Sequence, residues 1–205
     1  MSFWHTKWFA EEGDTNHNLN HNLDDNSIVL EIGGHKGSWA SQIFEKYNCK
    51  IYILEPVPSF YKEIKQIFAN SPRVVHLMKG VSPDIEKKIT VTVNGDATTS
   101  FPANNDTSHS TTEINLSPIE SILKEFNVYD VDLVQINIEG AEYTVLKEWI
   151  NSGIINRFKK LQIQFHRVEG IDCISERHHI QNKLSVLGYN KVFDYPFVWE
   201  AWEKI

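Results

Sequence analysis

Three short stretches of this chain combine acids, amides and glycines in patterns with chemical consequences. The first is Glu31-Ile32-Gly33-Gly34-His35-Lys36-Gly37, an acid two positions ahead of a glycine pair with a third glycine behind it. Glycines so placed let backbone approach a ligand closely and turn tightly onto a helix N-terminus. A dinucleotide fingerprint would want glycines at 33, 35 and 38, whereas this chain has His35 and Ser38 at the latter two. An acid ahead of the glycines suits a methyl donor, whose cationic amino-acid end a carboxylate can organise through hydrogen bonds or water. The second stretch closes on Glu55, an acceptor-only carboxylate suited to both hydroxyls of a ribose. The third, Asn137-Ile138-Glu139-Gly140-Ala141-Glu142, sets an amide and two acids around a glycine.

These stretches need elements to bring them together, and the hydrophobic pattern supplies them. Ser27 to Ile32 is a short β-branched run ended by glycines, and Trp39, Ile43, Phe44 and Tyr47 form one stripe of a following helix. Lys50 to Leu54 reads as a second strand, followed after Pro56 and Pro58 by a helix carrying Phe60, Ile64, Ile67 and Phe68. Val74 to Leu77 gives a third strand, and Lys88 to Val93 a β-ribbon arm inserted after it. Asn94 to Glu113 is polar and small, which predicts an irregular active-site loop, with Asp96 to Ser100 as site wall. A helix through Ile122, Leu123 and Phe126 then leads to the strand Val131 to Asn137, and Ala141, Val145, Leu146 and Trp149 mark the next helix. The strand Leu161 to Phe165, a helix with Ile180, Leu184 and Leu187 stopped at Gly188, and a terminal hairpin around Tyr195-Pro196 complete the chain. Strand and helix in alternation predict an α/β fold with a mostly parallel, doubly wound, Rossmann-like sheet and a C-terminal antiparallel hairpin. Residues 1–205 read as a single domain, with 1–27 as a lead-in of short helical turns.

The whole-chain balance narrows the partners. A net charge of -7 opposes a phosphate backbone, and the pairs Lys87-Lys88 and Lys159-Lys160 read as solvated turns, so nucleic acid is not expected as a partner. Cys49 and Cys173 lie far apart without metal-ligand spacing, and no apolar run reaches membrane-spanning length, so a cytoplasmic protein without membrane insertion is expected.

The segments VLEIGGHKGSWAS, YILEPVPSF and LVQINIEGAEYTVLKEW resemble the three main motifs of the FkbM family of methyltransferases. The resemblance extends weakly upstream through Phe9 to Asp14 and downstream through Gln162 to His166 and Leu187 to Tyr189. It implies a Rossmann-like fold, S-adenosylmethionine as cofactor, and transfer of its methyl to a hydroxyl, commonly of a sugar or a polyketide, so that a small-molecule or glycan acceptor is the partner it implies. Under it Gly33, Gly34 and Gly37 match the donor loop, Glu55 the ribose ligand, and Gly80-Val81-Ser82 a segment near the adenine, while Glu31 and Asn137 complete the cofactor-binding set. One departure stands out: the family pattern Asp-Val-Glu-Gly-Ala-Glu begins here with Asn137, which keeps hydrogen bonding and loses a charge.

Hydroxyl methylation needs a base, and His166, following a strand at the mouth of the sheet, is one candidate. Glu139 is the rival, with an N-terminal helix acid as its plain structural reading. Glu142 is expected to cap or solvate its helix. His178 and His179 are adjacent in a helix and point apart, and His17 and His21 sit in an irregular segment, so no catalytic metal is expected. Phe193, Tyr195, Phe197, Trp199 and Trp202 are expected to pack as core, with stacking on a sugar ring the other reading. Two other functions stay open at this point: a binding module that keeps the fold without turnover, and a nicotinamide oxidoreductase, which the glycine spacing disfavours.

Overall fold

The computed structural model describes residues 2–94, 97–99 and 110–205. Two short helices, α1 (Phe3–Ala10) and α2 (Gly13–Asn16), precede the alternating units. These are β1 (Ile28–Ile32), α3 (Ser38–Tyr47), β2 (Lys50–Leu54), α4 (Pro58–Ile67) and β3 (Val74–Leu77). Four strands follow, β4 (Gly80–Ser82), β5 (Lys87–Asn94), β6 (Ala97–Thr99) and β7 (Ser110–Pro118). The second half runs α5 (Ile119–Phe126), β8 (Leu133–Ile136), α6 (Glu142–Ser152), β9 (Lys160–Ile163), α7 (Cys173–Val186), β10 (Tyr189–Tyr195) and β11 (Trp199–Lys204).

The main sheet has the order β3-β2-β1-β8-β9-β11-β10, with β1 paired in parallel to β2 on one side and β8 on the other. Every strand from β3 to β9 is parallel to its neighbour, and β11 lies antiparallel to both β9 and β10. This is a Rossmann-like, mostly parallel sheet with C-terminal antiparallel strands, as the alternation predicts. Within the terminal hairpin the second strand, β11, enters between β9 and β10, so that β10 forms the edge.

Parallel strands covered on both faces read as continuous apolar runs. Along β1 and its neighbours the two faces alternate strictly. Val29, Ile51, Ile53 and Leu133 pack with Ala40 and Ile43 of α3 and Ile64 of α4. Leu30, Ile32, Tyr52, Leu54, Val134 and Ile136 face the other way, onto α5, α6 and α7 through Ile122, Leu146 and Ile180. Pro58 starts α4, where its missing N–H costs nothing, and Gly153 ends α6 at φ 79°.

A second, four-stranded sheet of order β4-β7-β5-β6 contains the β-ribbon arm. It corrects the expected irregular loop: β5 runs to Asn94, Ala97 to Thr99 pair in β6 against Thr92 to Asn94, and Ser110 to Glu113 pair in β7 against Thr90 to Val93 of β5. Thr, Ser and Glu dominate that stretch of β7, and a ribbon strand with exposed faces needs no apolar alternation to form. Residues 95, 96 and 100–109, including Asp96 and Ser100 of the expected site wall, lie outside the described residues.

The lead-in docks onto the hairpin. Trp8 is buried against Tyr195, their rings 5.0 Å apart and edge to face, within a cluster that also holds Trp199 and Val198. Among the described residues no helix is long and apolar enough to cross a membrane.

Candidate active site

Strand order reverses at β1, so the loops leaving β1, β2 and β8 diverge from neighbouring strand ends and leave a crevice between them. The glycine turn is tied to β2: the N–H groups of Gly33 and Gly34 both donate to the Leu54 carbonyl, at 2.9 and 3.0 Å. Gly37 N–H then donates to the Gly34 carbonyl at 2.7 Å and opens α3. Gly33 has φ +86°, and a Cβ there would sit 1.9 Å from the Asn137 carbonyl oxygen, so the β1 and β8 loops touch backbone to backbone.

Two buried acids lie beneath this turn. Burial drives the Glu31 carboxyl well above its usual range, and the neighbouring Glu55 charge adds to that, against the pull of the Ala40 N–H. Its Oε2 has no hydrogen-bond partner among the described residues. Glu55 accepts from His35 N–H at 2.7 Å and Val57 N–H at 2.8 Å, one to each oxygen. Burial pushes it up to about 7, with the two N–H groups pulling it back. Each oxygen keeps a lone pair for a further donor. The Asn137 Oδ1 is likewise buried without a partner among the described residues.

Above these groups is a cavity of about 230 Å³. Gly33, Glu55, Asn137 and Glu139 line its polar side, Gly80 and Val81 one end, and Ile89, Val91, Ile114 and Leu116 of the second sheet close an apolar wall. A Cβ on Gly80 would lie 2.5 Å from Leu116, which explains a glycine where β4 meets β7. Glu31, Gly34 and Gly37 shape the turn behind the cavity. Ser82 is buried and its hydroxyl donates to the Ile85 carbonyl at 2.6 Å, so it braces the β4 turn. A nucleoside fits this donor set: Glu55 would meet the ribose hydroxyls and the apolar wall a planar base, while the orphaned Glu31 oxygen lies behind the glycine turn, outside the cavity lining.

The sequence-predicted base lies at the far side of Glu139. His166 Nδ1 is 2.8 Å from a Glu142 oxygen, and its Nε2 faces Glu139 at 3.7 Å. Burial lowers the His166 pKa, but the Glu142 hydrogen bond and the charges of Glu142 and Glu139 outweigh it and leave it above the ordinary histidine value. Tyr143 fixes the backbone, its hydroxyl donating to the His166 carbonyl at 2.6 Å. Glu139 lines the cavity with φ +53°, a left-handed conformation that is costly for a glutamate. Burial raises its pKa, countered by His166.

Glu142 is not a solvated cap. It is fully buried, and besides His166 it accepts from Ile138 N–H at 3.0 Å and Gly140 N–H at 2.9 Å. The sequence carried a faint signal for it: an acid at the start of a helix directly after a glycine is placed to bend back onto loop N–H groups. The terminal aromatics divide. Tyr195, Trp199 and Trp202 are buried, whereas Phe197 is half-buried beside His166's neighbour Arg167, whose guanidinium lies 4.0 Å over its ring.

A family model described as the methyltransferase FkbM domain matches residues 31–191. No curated protein matches the chain. Among solved structures, the fibrillarin/Nop5p complex is similar at 10% identity and a TM-score of 0.59, covering 98% of this chain and 82% of that one. An rRNA methylase from Streptococcus thermophilus is similar at 13% identity and TM-score 0.51, covering 89% of each chain. A Streptococcus mutans protein in complex with S-adenosylhomocysteine (SAH) is similar at 12% identity and TM-score 0.53, covering 96% of this chain and 97% of that one. These likenesses correct the expectation about partners: a fold shared with an rRNA methylase and with fibrillarin bound to Nop5p removes the exclusion of nucleic acid. Net charge does not carry that exclusion, because it sums the whole chain, while a polyanion responds to the local field where it docks.

Proposed function

Because the chain belongs to the FkbM methyltransferase family, with S-adenosylmethionine as its cofactor, we propose that it methylates a hydroxyl of a sugar or glycoconjugate. Residues 1–205 act as one methyltransferase domain, a reading supported by the packing of Trp8 on the C-terminal hairpin. S-adenosylmethionine supplies an electrophilic methyl group on a sulfonium. The residues proposed to hold it are Glu31 toward its amino-acid end, Gly33, Gly34 and Gly37 through their turn, Glu55 at the ribose, Asn137 beside them, and Gly80, Val81 and Ser82 around the base.

The observation that carries hydroxyl methylation is the His166 ring, whose Nδ1 is engaged by Glu142 while Nε2 faces the cavity-lining Glu139. In the proposed reaction the hydroxyl proton passes to Nε2 as the acceptor oxygen bonds the methyl carbon. The electron pair of the broken carbon–sulfur bond stays on sulfur, so an ether and SAH are the products. Glu139 beside Nε2 then faces an imidazolium, a favourable pairing. The sugar class follows what the family resemblance implies.

The test is methyl transfer from S-adenosylmethionine to a panel of sugars, hydroxylated polyketides and RNA oligonucleotides, read by mass spectrometry. The expected result is a methylated sugar, a rate that rises with pH through a histidine pKa above about 6.5, and a loss of about 10²-fold or more in His166→Ala. Transfer to RNA or polyketide alone would overturn the sugar acceptor, and an undiminished His166→Ala enzyme would overturn the base.

A further inference from the structure

Glu142 and His166 are separated in sequence by α6 and β9, yet they meet at the mouth of the sheet as an ion pair with a fully buried acid. The Glu142 side chain is fully buried and pairs with His166. A buried carboxylate is tolerated when it is well supplied with donors, and here three serve it: Ile138 N–H and the His166 ring on one oxygen and Gly140 N–H on the other. Two of those donors belong to the loop that carries Glu139 in its left-handed conformation to the cavity. The third is the ring whose other nitrogen faces that same Glu139.

An acceptor-only carboxylate at 2.8 Å from Nδ1 requires a proton on that nitrogen. In the neutral ring Nε2 is then the lone pair. We propose that Glu142 is a positioning residue for methyl transfer: its carboxylate fixes the His166 ring in the tautomer that leaves Nε2 basic, and the same carboxylate sets the loop that holds Glu139 beside it. This rests on the reading of His166 as the base. The arrangement follows the logic by which a buried acid orients a catalytic histidine in hydrolases, without a nucleophile of the protein's own.

The groups facing His166 are few. Glu142 and Tyr143 come from α6, Glu139 from the preceding loop, and behind Tyr143 lie Cys173 and Arg177 of α7. Arg177 is engaged by Asp194 and Glu200, so its charge is neutralised locally.

The experiment is nitrogen NMR of the His166 ring in the full chain, first in the wild type and then in Glu142→Gln and Glu139→Gln. The wild type is expected to show a single Nδ1–H tautomer when neutral, titrating above about 6.5. Glu142→Gln is expected to lower that midpoint, mix the tautomers and cut kcat at least tenfold with little change in the KM for S-adenosylmethionine. In Glu139→Gln the midpoint falls and the tautomer is retained. An Nε2–H tautomer in the wild type overturns the proposal without any variant needing to fold. So does a folded Glu142→Gln with an unchanged ring. Failure of the base reading looks different, since His166→Ala would then keep full activity while the ring tautomer in the wild type stays as stated.

Discussion

At Glu55 burial and hydrogen bonding oppose each other, and burial prevails far enough to push the carboxyl up to about 7. The sign has two consequences. An unfolded glutamate loses its proton near pH 4.5 and the folded one near 7, so the native state binds more protons in that window and stability falls as pH rises across it. Ligand binding runs the other way. With Glu55 at the ribose as proposed, the hydroxyls are donors that an ionised carboxylate can accept from, and affinity is expected to rise as Glu55 ionises. SAH affinity is expected to weaken about tenfold from pH 8 to pH 6, and Glu55→Gln is expected to flatten that dependence. Calorimetric titration across pH checks it, and an equally steep profile in Glu55→Gln would assign the effect to another group, Glu31 first.

At the scale of elements, the glycine turn owes its sequence to contact rather than to flexibility. Gly33→Ala forces a Cβ to 1.9 Å from the Asn137 carbonyl at φ +86°, and is expected to cost more than about 3 kcal/mol in urea unfolding. Gly153→Ala has a similar φ of +79° but its nearest neighbour is 3.8 Å away, so only the left-handed penalty of about 1–2 kcal/mol applies. Equal losses would mean that the β1–β8 contact does not constrain position 33. The same elements show what could be read in advance. Strands β1, β2, β8 and β9 were legible because buried parallel strands are continuous apolar runs, and their ends placed Gly33, Glu55 and Asn137 along one cavity. The start of β7 was illegible because Ser110 to Glu113 show no apolar alternation, their pairing being set by β5. Glu142 was illegible in its main role, since nothing local to an α6 acid announces a histidine beyond the next strand.

Across the whole molecule, parts remote in sequence converge at the carboxyl ends of one sheet. The second sheet walls the cavity with Ile89, Val91, Ile114 and Leu116, and β11 pairs with β9 so that the hairpin turn and Phe197 lie at the same end as His166. The surplus of acids that gives a net charge of -7 is spread over the chain, and two of those acids, Glu31 and Glu55, are buried at the site. Buried carboxyls that keep lone pairs open make a receptor suited to the hydroxyls and cationic tail of a nucleoside. The most direct test of that account is calorimetric titration of the protein with S-adenosylmethionine and SAH, on the wild type and on Glu55→Ala, with NAD as control. Saturable binding of both that weakens at least tenfold in the folded variant, with NAD inert, is the predicted result; no binding to the folded wild type, or binding indifferent to Glu55→Ala, would contradict it.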